Sequence, residues 1–168
     1  MTKLIDSSTA MQDINVFAPN GVRVGTTTLA RNFNTYPAEI DASQATAIYA
    51  GDPVKIVATS TNVLKVAKAA VGDKVFGFLR INSLNREKGY VAGMKVEVVG
   101  QNAVMYMKAS GAINAGADVN SITAASGVNT VAAAGTGKSV IGIALEKVVS
   151  GEAVKVLIGA PVVLTANA

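Results

Sequence analysis

The sequence predicts an all-β protein: a small pseudo-symmetric β-barrel or sandwich built from a duplicated β unit, preceded by an extended N-terminal arm. Three observations carry this prediction. From about Ala47 onward the chain consists of short Val-rich runs separated by glycines, the pattern of an antiparallel sheet that closes or stacks on itself. Half of the residues are apolar, but with only four Phe, four Tyr and no Trp they suit thin, tightly packed sheets better than a deep aromatic pocket. The Val-rich part also matches itself under a simple shift, the mark of an internal duplication.

Taken in order, residues 1–45 form the arm. They are rich in Thr, Asn, Ser and Asp and contain Pro19 and Pro37. Within them Ile14–Phe17 and Val22–Val24 flank Pro19-Asn20-Gly21, and an Asn-Gly between β-prone runs predicts a short hairpin. Beyond Thr28, the stretch Leu29–Ala45 holds neither a helical nor a strand period for long and reads as extended. Phe17, Phe33 and Tyr36, with Arg23 and Arg31, stand out in this polar segment. Aromatics and arginines are the residue types that anchor interfaces, so the arm is expected to order on a partner's surface.

The barrel domain is expected over residues 46–168, with repeat units at about 47–100 and 112–160 and a short C-terminal tail. Laid without a gap on Ala115–Ala144, the stretch Ala50–Leu79 matches Ala50-Gly51 to Ala115-Gly116, Val54 to Val119 and Val66-Ala67 to Val131-Ala132. It also matches Gly72 to Gly137, Val75 to Val140 and Gly77 to Gly142. After a shorter connection, Gly93–Val98 pairs with Gly151–Val156, where Val96 and Val98, or Val154 and Val156, alternate with charged or polar neighbours. Mid-strand Gly77 and Gly142 mark places where a sheet bends or closes on itself. Neither unit is expected to bury a core alone, so the two are expected to share one barrel over roughly residues 47–160. The first unit carries one charge-rich insertion, Arg80–Gly89, and its Arg80, Arg86 and Lys88 join the candidate contact residues.

Composition bears on chemistry. The chain has no Cys and no His, which removes Ser-His-Asp and Cys-His nucleophile systems and every thiolate or imidazole metal site. Its eleven acidic residues never reach the clustered spacing of a calcium loop. No catalytic residue, no metal and no cofactor is therefore expected, and the protein is not expected to be an enzyme. A net charge of +4 invites a nucleic-acid reading, but the lysines are spread evenly and the aromatics do not interleave with them as a stacking platform would. No apolar run is long enough to span a membrane, and Met1–Ser8 lacks a signal peptide's apolar stretch. A soluble protein, acting where it is made and touching neither nucleic acid nor membrane, is the expectation.

Three motif-like strings have simpler readings. Ala132–Ser139 satisfies a relaxed phosphate-loop pattern, yet its repeat counterpart Gly72-Asp73-Lys74 is a plain turn and the Val140–Leu145 run after it is β-like rather than helical. Tyr106-Met107-Lys108-Ala109 resembles the modified-lysine site of a biotinyl carrier, but Lys108 ends an alternating run with no turn residue beside it before Gly111. Glu97 and Glu146 are the carboxylates that would have to meet for glycoside-type acid/base work, and each sits on a strand as a solvated-face residue would.

The segments Ala50–Val54, Ala70–Gly77, Ala115–Val119 and Gly137–Gly142 resemble the capsid cement (decoration) proteins of tailed phages, whose β-barrel carries repeated A-G-D-x-V and G-x-x-V-x-G elements. The resemblance spans roughly residues 47–160. It implies a structural virion protein, assembled in the host cytoplasm, that sits on the outer capsid surface and stabilises contacts between major capsid protein subunits. Its implied partners are the major capsid protein and further copies of itself, as a homotrimer or a dimer. Two other classes stay open on the residues alone: a small β carrier or ligand-binding module, and another virion component such as a tail or head-fibre protein.

Overall fold

The computed structural model describes residues 24–25, 27, 34–57, 62–81, 89–122 and 129–166. Among these residues every regular element is a strand. They run β1 (Thr35–Ile40), β2 (Pro53–Ile56), β3 (Lys65–Lys68), β4 (Gly77–Leu79) and β5 (Lys95–Val99), then β6 (Val104–Ala109), β7 (Asp118–Ile122), β8 (Thr130–Ala133), β9 (Gly142–Ala144) and β10 (Ala153–Ile158).

The strands close into two barrels of identical topology, β1-β3-β2-β4-β5 and β6-β8-β7-β9-β10. In each, the first strand runs parallel to the third and antiparallel to the fifth, and every other pairing is antiparallel. Even the isolated bridges correspond: Ile48 pairs with Tyr90 in the first barrel and Ile113 with Val148 in the second. The duplicated all-β architecture is thus as the sequence predicts. The number of barrels is not. Instead of two units sharing one barrel, each closes its own, because β1 and β6 supply a fifth strand that bridges β3 to β5 and β8 to β10.

β1 lies within the stretch read above as a patternless arm. Its side chains do alternate, with Ala38 and Ile40 buried and Thr35 and Pro37 exposed, but Pro37 masks the pattern. The structure explains why a proline is tolerated. The carbonyl of Glu97, the residue opposite Pro37, accepts from Arg80 N on the far side of β5, so Pro37 and Glu97 form a non-hydrogen-bonded pair. The nitrogen of Pro37 therefore points toward β3, whose pairing with β1 begins only at Glu39, and no ladder bond is lost.

Gly77 and Gly142 are the other closure device. A Cβ on Gly77 would lie 2.7 Å from Val98 Cγ1 and against the Val99 carbonyl; one on Gly142 would lie 2.8 Å from Val156 Cγ1 and inside the radius of the Leu157 carbonyl. Neither glycine needs a positive φ. They are required because neighbouring backbone passes where a side chain would stand.

The first barrel is filled by Ala38, Ile40, Ile48, Val54, Val66, Leu79, Tyr90, Val96 and Val98. The interior of the second, including Met105, Met107, Val119, Val131, Val154 and Val156, is continuous with a layer between the barrels to which the first contributes Ala69, Val75, Phe78 and Val99. The chain after β10 completes that layer. Its Val162 carbonyl accepts from Val75 N and its Leu164 carbonyl from Gly72 N, each at 2.9 Å, while Leu164 itself is buried. A second strap precedes β1: Gly25 donates to the Tyr106 carbonyl at 2.7 Å and accepts from Ile81 N at 3.2 Å, joining the two barrels, with Val24 buried beside it.

Candidate functional site

The Ala132–Ser139 string runs off the end of β8 into a turn closed by Lys138 N donating to the Gly135 carbonyl at 3.1 Å, with Gly137 at φ +73°, and leads to strand β9. Among the described residues a strand, and not a helix N-terminus, follows it, so the context of a phosphate cradle is not met there. Lys108 sits inside β6, opposite Ala153 and Thr130, rather than in a hairpin turn. Glu97 pairs with Arg80 at 2.7 Å in the first barrel and Glu146 with Lys155 at 3.4 Å in the second, so each carboxylate is engaged by a cation within its own barrel. Among the described residues no three acidic side chains converge on a point where they would hold a metal ion.

Of the sequence-derived contact residues, Tyr36 and Arg80 are described. Phe17, Arg23, Arg31, Phe33, Arg86 and Lys88 lie outside the described residues. Tyr36 stands on β1 and packs its ring on Phe76 at 5.0 Å between centroids. Arg80 follows β4. Both flank β5, where Val98 is the register partner of Tyr36 on one side and of Leu79 on the other. Tyr36 is therefore a barrel residue, half-buried, and not part of a free arm.

One polar feature at the junction of the barrels was not anticipated. Asp52, fully buried, takes the Lys68 ammonium at 2.9 Å, accepts from Tyr49 N at 2.9 Å and reaches across to accept from Asn129 N of the second barrel at 2.7 Å. Asn129 in turn donates its Nδ2 to Ser121 Oγ at 2.6 Å, and its Oδ1 is buried without a partner among the described residues. Burial pushes the Asp52 carboxyl up, opposed by Lys68 and by the two backbone N–H groups. The shift that lays Ala50 on Ala115 puts Ala117 opposite Asp52 and Ala133 opposite Lys68, so the second unit has no such pair. The signal was visible in the sequence as an Asp and a Lys where the sister unit has alanines, but their convergence needs the β2–β3 pairing.

Elsewhere on the first barrel three carboxylates are favoured in their charged form. Glu39 is gripped by Lys65 and Lys95, Asp73 by Lys55 at 2.9 Å and by Ala70 N at 2.8 Å, and Asp41 by the Ser43 hydroxyl and amide. Hydrogen bonding to the charged form lowers all three pKa values.

The second barrel also exposes apolar side chains. Ile143 and Leu157 are register partners on β9 and β10, 42% and 36% exposed, and Leu145 beside them is 47% exposed. Ile143 and Leu157 border an open groove of about 340 Å³ that Val140, Asn102, Asp118 and Val162 help to line. Between the barrels, by contrast, the gap lined by Val75, Phe78, Ile141, Ile158 and Pro161 is about 10 Å³, room for one water molecule at most.

No family model matches the sequence. No curated protein matches it either. Among solved structures the chain is similar to the N base of the head fibre protein gp8.5 of bacteriophage phi29, with a TM-score of 0.47 and 15% identity over 76% of this chain and 94% of that one.

Proposed function

We propose that this chain is a non-catalytic structural protein of a tailed-phage virion, which binds the outer surface of the capsid, ties neighbouring major capsid protein subunits together and associates with further copies of itself. The observation that carries the reading is two close-packed barrels, fused through a buried layer and through Asn129 N donating to the buried Asp52 carboxylate, that leave apolar side chains standing on an outward strand face. Such a body offers surface rather than a reaction centre. The motif elements behind the cement-protein resemblance favour the same reading by recurring at equivalent places: Gly51 and Gly116, at φ +86° and +79°, make the turn before β2 and β7, and Gly72 and Gly137 the turn before β4 and β9. Bound in many copies, each contributing a modest interface, the protein acts through avidity, and a multimer links several capsid subunits at once.

The test is co-sedimentation with empty expanded capsids of the phage that encodes it, with the protein labelled for electron microscopy. Stoichiometric binding to the shell is expected; no association of the full chain, or a label on the tail or on a head fibre, overturns capsid cementing. The arm's share is tested by deleting residues 1–23, stopping short of Val24 and Gly25, which belong to the inter-barrel strap. Loss of Phe17 and Arg23 with that segment should weaken binding while both barrels still fold, and undiminished binding refutes a role for the arm. A covalent adduct on Lys108 in the mass of native protein would replace this function with that of a carrier.

A further inference from the structure

The two barrels are not treated alike. On the first, the face formed by Val75, Phe78 and Val99 is 3%, 2% and 0% exposed, because Ile141, Ile158 and the Pro161–Val162 segment of the second barrel lie over it. The duplication carries this face intact to the second barrel. Val140 corresponds to Val75, Ile143 to Phe78 and Leu157 to Val99, and the Ile143–Leu157 pairing repeats the Phe78–Val99 pairing. There Ile143 and Leu157 are exposed and Val140 is half-buried.

Were these simply water-facing positions, polar side chains would serve, as Lys95 and Glu97 do on β5. Two cross-strand apolar residues kept exposed on a sheet face, with half-buried Val140 beside them, mark a surface meant to be buried. The groove over it is also continuous with the intrachain interface, since Ile158, Gly159, Ala160 and Val162 line both it and the gap between the barrels. What fits such a face is shown by the chain itself: on its counterpart, the cover is another unit of the same fold.

We propose that the Ile143–Leu157 face of the second barrel is covered, in the assembled protein, by a second copy of this chain. The contact inside the chain is not two-fold, because the Phe78 face is buried while its counterpart is not. An interface of that kind repeated between copies is head-to-tail, and such contacts generate rings when the rotation closes. The inference gives a location to the self-association in the proposed function, and rests on that reading only for its biological setting. It is tested on purified protein with no capsid present, so its failure leaves capsid binding standing.

The experiment is sedimentation velocity of the full-length protein beside Ile143→Glu, Leu157→Glu and Val91→Glu. Val91 is 46% exposed on the first barrel, away from this face, and serves as the control. Thermal melts establish that each variant folds. Wild type and Val91→Glu are expected to sediment as one discrete oligomer, and the two face variants to dissociate about tenfold or more readily, the loss of one buried aliphatic contact. Because the chain has no cysteine, Leu145→Cys at the rim of the face accepts a single polarity-sensitive fluorophore. Its emission should report shielding that disappears on dilution. A monomeric wild type, or an oligomer that both face variants retain, overturns the proposal. A probe shielded within a monomer assigns the face to residues 1–23 of the same chain, and one exposed until capsids are added assigns it to a capsid protein; either result also overturns it.

Discussion

Replacing Asp52 by Ala should be among the most damaging single changes available on this chain. The carboxylate is fully buried and its cation, Lys68, has a side chain only 10% exposed. Truncation leaves an ammonium in a low-dielectric layer without its counter-charge and takes the acceptor from the backbone N–H groups of Tyr49 and Asn129. Breaking a buried pair from one side costs roughly 3–5 kcal/mol, and this includes most of the penalty for the stranded donors because the three bonds act as one network. Against a total stability of about 5–15 kcal/mol the effect is large. Urea denaturation followed by far-UV circular dichroism measures it.

The decisive comparison is with Asp52→Asn and with Asp52→Asn combined with Lys68→Met. Asn keeps one acceptor but turns a donor toward an ammonium, so the single variant should lose nearly as much as Ala. Removing the ammonium as well should recover about 2 kcal/mol or more. The pH dependence has a definite sign. A carboxyl whose folded pKa is raised contributes stability that is present below its unfolded value, 3.8, and is lost as pH rises through the folded value. The margin of wild type over Asp52→Asn should therefore narrow as pH rises from about that value. Other carboxylates are common to both proteins and cancel. A loss below about 1 kcal/mol for Asp52→Ala, or a double variant no more stable than Asp52→Asn, refutes the reasoning.

Glu39, Asp41 and Asp73 have depressed pKa values, so their contribution is present above the unfolded values of 4.5 for Glu and 3.8 for Asp and is lost as pH falls below them. All three lie on the first barrel. On acidification its amides should lose hydrogen-exchange protection before those of β7–β10, and Glu39→Gln should reduce the difference. Gly142→Ala should cost about 1–3 kcal/mol or more from the clash with the β10 backbone, whereas Gly137→Ala, in open space at φ +73°, should cost only the left-handed penalty of about 1–2 kcal/mol. Thermal melts rank the two, and the reverse order would show that Gly142 is not there for close approach. Leu164→Ala should cost about 2–5 kcal/mol by opening the layer between the barrels; an unchanged melting temperature would mean that the segment after β10 does not hold them together.

Much of the fold was legible because the signals are local. Turn glycines such as Gly51 and Gly116, and alternation such as Lys95–Val99 and Val104–Ala109, depend only on nearest neighbours and on the period of a strand. The gapless match located the repeat and correctly made Gly137-Lys138-Ser139 a turn by analogy with Gly72-Asp73-Lys74. Two things escaped. β1 carries a proline at a position that only its pairing makes harmless, and sequence inspection penalises proline wherever it stands. With the repeat units drawn at about 47–100 and 112–160, β1 and β6 both fall outside them, so neither unit looks able to close alone and a single shared barrel is expected.

The candidate site divides along the same line. From sequence, the absence of Cys and His limited the chemistry, and Tyr36 and Arg80 stood out by residue type. Which apolar positions stay exposed is a different kind of question. Val75 and Val140 are the same residue in the same repeat place, and nothing in their neighbourhoods says that the first is buried and the second borders a groove. The amino-acid sequence by itself determined the β class, the duplication and the places where the backbone must turn or pass closely, because those follow from steric limits on short stretches. The tertiary structure alone decided that there are two barrels, that Asp52 and Lys68 meet beneath Asn129, and that Phe78 and Val99 are buried while their counterparts Ile143 and Leu157 are exposed. Burial is a property of what lies opposite, and a duplicated sequence writes the same face twice while the fold can cover only one of them from within the chain.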